Sequence, residues 1–84
     1  MSAFMAQAAK RGVRLSLSTQ LLYDARHLFI NGSALQWPRQ GRASLQRLAD
    51  RRTLDARHAA ALPQAIMTML YDWYRDGFLD TTGR

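Results

Sequence analysis

Leu21-Leu22-Tyr23-Asp24-Ala25-Arg26-His27-Leu28-Phe29-Ile30-Asn31-Gly32-Ser33-Ala34-Leu35-Gln36-Trp37-Pro38 is the stretch that decides the fold class. Leu21-Leu22-Tyr23 and Leu28-Phe29-Ile30 are short runs of strand-forming residues, and Asp24-Ala25-Arg26 between them suits a tight turn. Asn31-Gly32 tolerates the positive φ angles that a two-residue hairpin turn requires, so a third strand is expected to return over Ala34–Trp37 until Pro38 stops it. The spacing predicts an antiparallel meander.

Upstream, Val13, Leu15 and Leu17 alternate with Arg14, Ser16 and Ser18, a period of two that extends the expected meander back to residue 13. Ser2–Arg11 has a capping serine, an Ala-rich body, Lys10 and Arg11 in its last turn and Gly12 just past its end, which together predict a short helix. Downstream, Leu45, Leu48 and Ala49 mark one face of a helix from about Arg42 to Arg51. Arg47 and Arg51 stand at i and i+4 on its other face, where like charges repel by about 0.2–0.5 kcal/mol unless an anion sits between them. Thr53-Leu54-Asp55 reads as a break, with Asp55 capping a second short helix to about Leu62, and Pro63 opens a third over Pro63–Asp76. Ile66, Met69, Leu70, Trp73 and Tyr74 form its apolar stripe. Met67 and Tyr71 flank that stripe as a candidate docking surface, Gly77 closes the helix, and Phe78-Leu79 leaves as an extended segment.

The fold class expected is therefore α+β: a small winged-helix-like domain over residues 13–84, with a short antiparallel meander and three to four helices. Residues 1–12 are its N-terminal helix, or a linker from a preceding domain. The core stripe is expected to set Ile66, Leu70 and Trp73 against Leu28, Ile30, Leu45 and Leu48.

Eighty-four residues make one domain with a modest core. Without cysteine there is no disulfide or thiolate-metal staple. The residues before Lys10 reverse the basic-then-apolar order of a secretory leader, and no apolar run approaches the roughly 20 residues of a membrane span. A cytoplasmic location follows as the expectation. The net charge of +6 comes from eleven Arg and one Lys against six Asp and no Glu. Arg39–His58 alone carries six Arg against Asp50 and Asp55, so Arg42, Arg47, Arg51, Arg52 and Arg57 are the candidate contacts to an anionic partner.

Catalytic patterns are missing from the chain. His27 and His58 lie in different elements, without the i, i+4 spacing that holds zinc on a helix or the His-x-Asp of an iron facial triad. No G-x-S-x-G, phosphate-binding glycine loop or paired carboxylates occur. No catalytic, metal or cofactor-binding residue, no cofactor and no small-molecule substrate are expected.

Three segments carry a family resemblance: Leu21 to Gly32; Leu48-Ala49-Asp50-Arg51-Arg52; and Leu70-Tyr71-Asp72-Trp73-Tyr74-Arg75-Asp76-Gly77-Phe78-Leu79. Through them the chain resembles the C-terminal winged-helix region of bacterial cupin-type, JmjC-like ribosomal oxygenases, which are iron(II)- and 2-oxoglutarate-dependent protein hydroxylases. The resemblance spans about residues 13–80. It implies an accessory role beside an upstream catalytic barrel that holds the iron ligands, none of which has a counterpart here. The implied partner is protein, either that oxygenase domain or its ribosomal-protein substrate, with weak non-specific nucleic-acid contact through the Arg39–Arg57 region.

The rival reading is a stand-alone winged helix-turn-helix regulator that reads DNA with Pro63–Asp76. Base readout uses Arg, Lys, Asn or Gln near a helix N-terminus, and that segment offers only Gln64 and Thr68 there while carrying Asp72 and Asp76. The protein-docking role is the better expectation.

Overall fold

The computed structural model describes residues 2–82. Four helices and six short strands follow in the order α1 (Ser2–Arg11), β1 (Val13–Leu15), β2 (Leu21–Tyr23), β3 (His27–Ile30), β4 (Ser33–Gln36), α2 (Arg42–Arg51), β5 (Thr53–Leu54), α3 (Ala56–Ala60), α4 (Gln64–Arg75) and β6 (Leu79–Thr81). The class is the expected small α+β domain with antiparallel sheets, consistent with a winged helix.

The meander forms as turn chemistry dictates. Asn31 and Gly32 adopt φ of 48° and 87°, and the strands pair antiparallel in the order β2-β3-β4, with Leu22 opposite Phe29 and Phe29 opposite Ala34. The other turn is held by Asp24, whose Oδ1 accepts the backbone N–H groups of Arg26 and His27 at 2.8 and 2.7 Å.

Residues 13–17 do not join that meander. β1 is the centre of a second antiparallel sheet, β5-β1-β6, in which Val13 stands opposite both Leu54 and Thr81. Thr53-Leu54, expected as a break, is one edge of this sheet. Its inner residues Val13, Leu15, Leu54 and Leu79 are buried. The period of two that pointed to Leu17 ends at Leu15: residues 16–19 turn, and Leu17 is 100% exposed. The third helix stops at Ala60, short of the expected Leu62.

One core holds both sheets. Ile66, Leu70 and Trp73 of α4 lie in it with Leu28, Ile30, Leu45 and Leu48, as the apolar stripe predicted, and Phe4 and Ala8 of α1 share it. Tyr74, read as part of the stripe, is instead 41% exposed, and Met67 is 4% exposed. A twelve-residue helix with core on more than one side buries a wider arc than the i, i+3, i+4 rule alone selects, which is why Met67 turns inward.

Two connections show why particular residues are needed. Gly12, at φ +86°, closes α1 with its N–H on the Ala8 carbonyl, and a Cβ there would stand 2.3 Å from the carbonyl oxygen of Leu54. Arg52, at φ 64°, closes α2 in the left-handed conformation, its N–H donating to the Leu48 carbonyl, and so swings the chain from helix into β5.

Candidate functional surfaces

The five arginines singled out as anion contacts divide into two groups. Arg52 is tied inward: one guanidinium nitrogen donates to the carbonyls of Ser16 at 2.8 Å and Thr19 at 2.7 Å. The same turn is fixed from its other side by Ser16 Oγ donating to the Gly77 carbonyl at 2.7 Å and by Thr19 Oγ1 donating to that of Phe78 at 2.8 Å. Arg52 therefore staples the loop between the two sheets. Arg42 is also engaged, donating to the Ala25 carbonyl at 3.1 Å with its guanidinium carbon 4.4 Å from the centre of the Trp37 ring. Trp37 in turn donates its Nε1–H to the Asp24 carbonyl and packs edge-on against Tyr23 at 5.6 Å. Arg51 and Arg57 are exposed, and Arg47 is half-buried close enough to Asp55 to help depress its carboxyl. These three have no hydrogen bond or ion pair to another described residue, which leaves their guanidinium groups the uncommitted part of the predicted set.

Counter-charges are mostly committed elsewhere. Among the described residues the one ion pair is Asp55 with His58, at 2.7 Å. Asp55 caps α3: the backbone N–H of His58, then its ring, hold the Asp55 carboxyl below its ordinary range. Asp24 is likewise lowered, first by the Arg26 N–H and then by that of His27. The Tyr23 hydroxyl donates to both oxygens of Asp50 at 3.1 Å, and this bond to a carboxylate raises the phenol above its usual value. Arg51 and Arg57 thus meet solvent without an ion pair among the described residues.

A second surface lies where α1 meets α4. The Phe4 ring stands 4.8 Å from that of Tyr74 and 5.8 Å from that of Tyr71, and the Arg75 guanidinium lies over Tyr71 at 5.9 Å. Phe4 is buried, Tyr71 half-buried and Tyr74 exposed. Of the predicted pair, Tyr71 reaches this rim and Met67 does not, being part of the core. Tyr74 and Phe4 were missed as partners of Tyr71; the missing signal was the packing of α1, which brings Phe4 to a helix seventy residues away.

The exposed side of α4 carries Gln64, Thr68, Asp72 and Arg75, with Asp76 exposed at the C-cap. Thr68 Oγ1 donates back to the Gln64 carbonyl at 3.0 Å, which engages its hydroxyl proton and leaves it an acceptor only. His27 and His58 remain apart from any ligand set, and no group of three His or Asp side chains able to hold a metal occurs among the described residues. No helix of the described residues is long and apolar enough to cross a membrane.

The family model described as "ROXA-like winged helix" matches residues 3–80. No curated protein matches the chain, and no solved structure does.

Proposed function

The chain belongs to the ROXA-like winged-helix family, and on that premise we propose that it is a non-catalytic docking domain, helping a cupin-type ribosomal oxygenase hold its shape or its ribosomal-protein substrate. The observation that carries the reading is the disposition of α4. Its apolar face is the centre of the core, and its exposed side carries Asp72 and Arg75 with Asp76 at the C-cap, so the helix that a DNA-reading winged helix would lay in the major groove brings two carboxylates against one arginine to the phosphates. The Phe4–Tyr71–Tyr74 rim beside it has the half-exposed aromatic character of a protein contact. Iron and 2-oxoglutarate chemistry belongs to the oxygenase barrel, and this chain contributes binding and orientation in the cytoplasm.

Two measurements test the proposal. Titrating the chain into the catalytic domain of a cupin-type ribosomal oxygenase is expected to give saturable binding that weakens by about tenfold or more when Tyr71 and Tyr74 are replaced by Ala, the loss typical of a central aromatic contact. Selection from a random duplex pool at about 0.15 M salt is expected to return no motif, with residual binding that falls steeply as salt rises. A defined motif, lost on mutating Gln64 and Thr68, would overturn the docking role in favour of a DNA-binding regulator.

A further inference from the structure

β4 is an edge left open. The bonds from Asn31 N–H to the Gln20 carbonyl and from Asp24 N–H to the His27 carbonyl flank the Leu22–Phe29 pair. Hydrogen-bonded pairs recur at every second position of an antiparallel ladder, so Phe29 directs its N–H and C=O to β2, while Leu28 and Ile30 direct theirs to Leu35 and Ser33 of β4. The two-residue Asn31-Gly32 turn requires the same phase, because it closes on a hydrogen-bonded Ile30–Ser33 pair. Ala34 and Gln36 therefore aim their N–H and C=O groups away from the sheet, and neither bonds another described residue there.

The other strand edges differ. β2 lies against α2, and β6 lies against α1 and α4. β4 is four residues long, and Ser33, Ala34, Leu35 and Gln36 include no charge, no proline and no bulge to blunt the edge.

The solvent face of the same sheet carries an apolar row across all three strands, Leu22–Phe29–Ala34. Leu22 is 60% exposed, and none of the three packs against the core. Ala34 is the small member at the open end, so a side chain from an added strand would come to rest beside it, on the flank of Phe29. The next row is His27–Gln36, and charge gathers at that end: Arg26 precedes His27, Arg39 follows Gln36 closely, and Arg42 lies on Trp37. Of the carboxylates near that end, Asp24 is engaged by backbone N–H groups and Asp50 by the Tyr23 hydroxyl.

We infer that the β4 edge is a strand-addition site for an extended acidic peptide segment of a partner protein, with an apolar side chain beside Ala34 and Phe29 and a carboxylate toward Arg26 and Arg39. Main-chain bonds to Ala34 and Gln36 supply the binding, and the row and the arginines supply the choice. Self-pairing of two copies through this edge would join two chains that each carry a net charge of +6, which disfavours it. This contact is separate from the Tyr71–Tyr74 rim and adds a second partner segment to the docking role.

The probe is a blocked heptapeptide of alternating Val and Asp, titrated into the 84-residue chain with amide resonances observed. Saturable shifts and slowed exchange at Ala34 and Gln36 are expected, with affinity about tenfold lower for the Val-Lys counterpart. Ala34→Pro removes an N–H that takes no part in the native ladder, so the fold should survive while peptide binding drops by about tenfold or more. Ala34→Glu should do the same, since its carboxylate repels the acidic peptide and takes the place of the apolar contact, and it decides the matter alone if the proline variant fails to fold. Absence of saturable shifts at β4, shifts confined to Tyr71 and Tyr74, or a dimer in sedimentation that Ala34→Glu abolishes would each overturn the inference. Oxygenase binding that persists in Ala34→Glu, with no peptide bound at β4 in the parent chain, would overturn it while leaving the docking role intact.

Discussion

The sheet β2-β3-β4 draws its strands from one stretch, residues 21–36, whereas β5-β1-β6 collects residues 53–54, 13–15 and 79–81. The first closes by turns of two or three residues, each with its own chemistry in Asp24 or Asn31-Gly32. The second closes only after α2, α3 and α4 have brought the chain back, so it depends on tertiary contacts for its register. It compensates with fixed points: Gly12 pressed against the Leu54 backbone, Arg52 stapling the 16–19 turn, and Thr53 Oγ1 donating to the Val13 carbonyl at 3.0 Å. The local sheet is consequently free to expose an edge and an outer face, and the candidate strand-addition site lies there.

The harshest test of the contrast is Trp73→Ala. Trp73 is 5% exposed in a core shared by Leu28 and Ile30 of one sheet and by Val13, Leu54 and Leu79 of the other. Truncation is expected to cost about 3–5 kcal/mol, a large share of the roughly 5–15 kcal/mol a domain holds. Both sheets should then lose their amide protection at one common, lowered denaturant midpoint. A meander that keeps its own midpoint while β5-β1-β6 melts would show that the two do not share a core.

Comparing Gly12→Ala with Gly32→Ala sharpens the difference. Both glycines sit near φ +86°, at +86° and +87°, so each alanine bears about 1–2 kcal/mol of left-handed strain. At Gly32 nothing lies within 4 Å of the new Cβ, and the cost should stop there. At Gly12 the Cβ meets the Leu54 oxygen at 2.3 Å and the Asp55 carbonyl carbon at 2.9 Å, both backbone, so β5 must move as well. Equal shifts in unfolding midpoint for the two variants would contradict that geometry.

Arg52→Met comes next. It removes the charged donor from the Ser16 and Thr19 carbonyls, and hydrogen bonds to a charged group are worth about 1.5–3 kcal/mol. The expected signature is local: lower protection for residues 16–19 and 53–54, with 21–36 unchanged. Uniform destabilisation of both sheets would mean that Arg52 does no stapling.

What could be read in advance follows the same division. The meander, the Asp55 cap and the α4 stripe were legible because a few neighbouring residues determine each of them. β5 was not: a two-residue strand has no period, and Thr53-Leu54 becomes β only because Val13 lies beside it. The pattern Val13-Leu15-Leu17 misled because it continues beyond the partner strands into a turn. Of the arginines read as anion contacts, Arg47, Arg51 and Arg57 make no hydrogen bond to another described residue, while Arg42 and Arg52 find acceptors far along the chain. Met67 was misplaced for want of knowing that α4 is covered on more than one side, and the Phe4 contribution to the aromatic rim depends on α1 docking, which composition alone does not express.

The smallest expected effect is a pH dependence that distinguishes the two regions by their caps. Asp24 fixes the β2–β3 turn and Asp55 caps α3 directly after β5, and both carboxyls are lowered from 3.8 by backbone N–H donors. A group with a lower value folded than unfolded binds fewer protons in the folded state. Its stabilisation is therefore complete above the unfolded value and is lost as pH falls through the folded one. Stability should thus be flat with respect to these two groups at neutral pH and decline as pH falls below about 4. Asp24→Asn should flatten this acid limb as read by amides of 21–30, and Asp55→Asn as read by amides of 53–60, since an amide oxygen still accepts the capping N–H but does not titrate. Because both carboxylates are exposed, the change is expected to be small and to shrink further with added salt only in its charge-dependent part. If each substitution altered the acid limb equally at both sets of amides, the turn and the cap would be acting on global unfolding alone, and not on local openings of the meander and of α3.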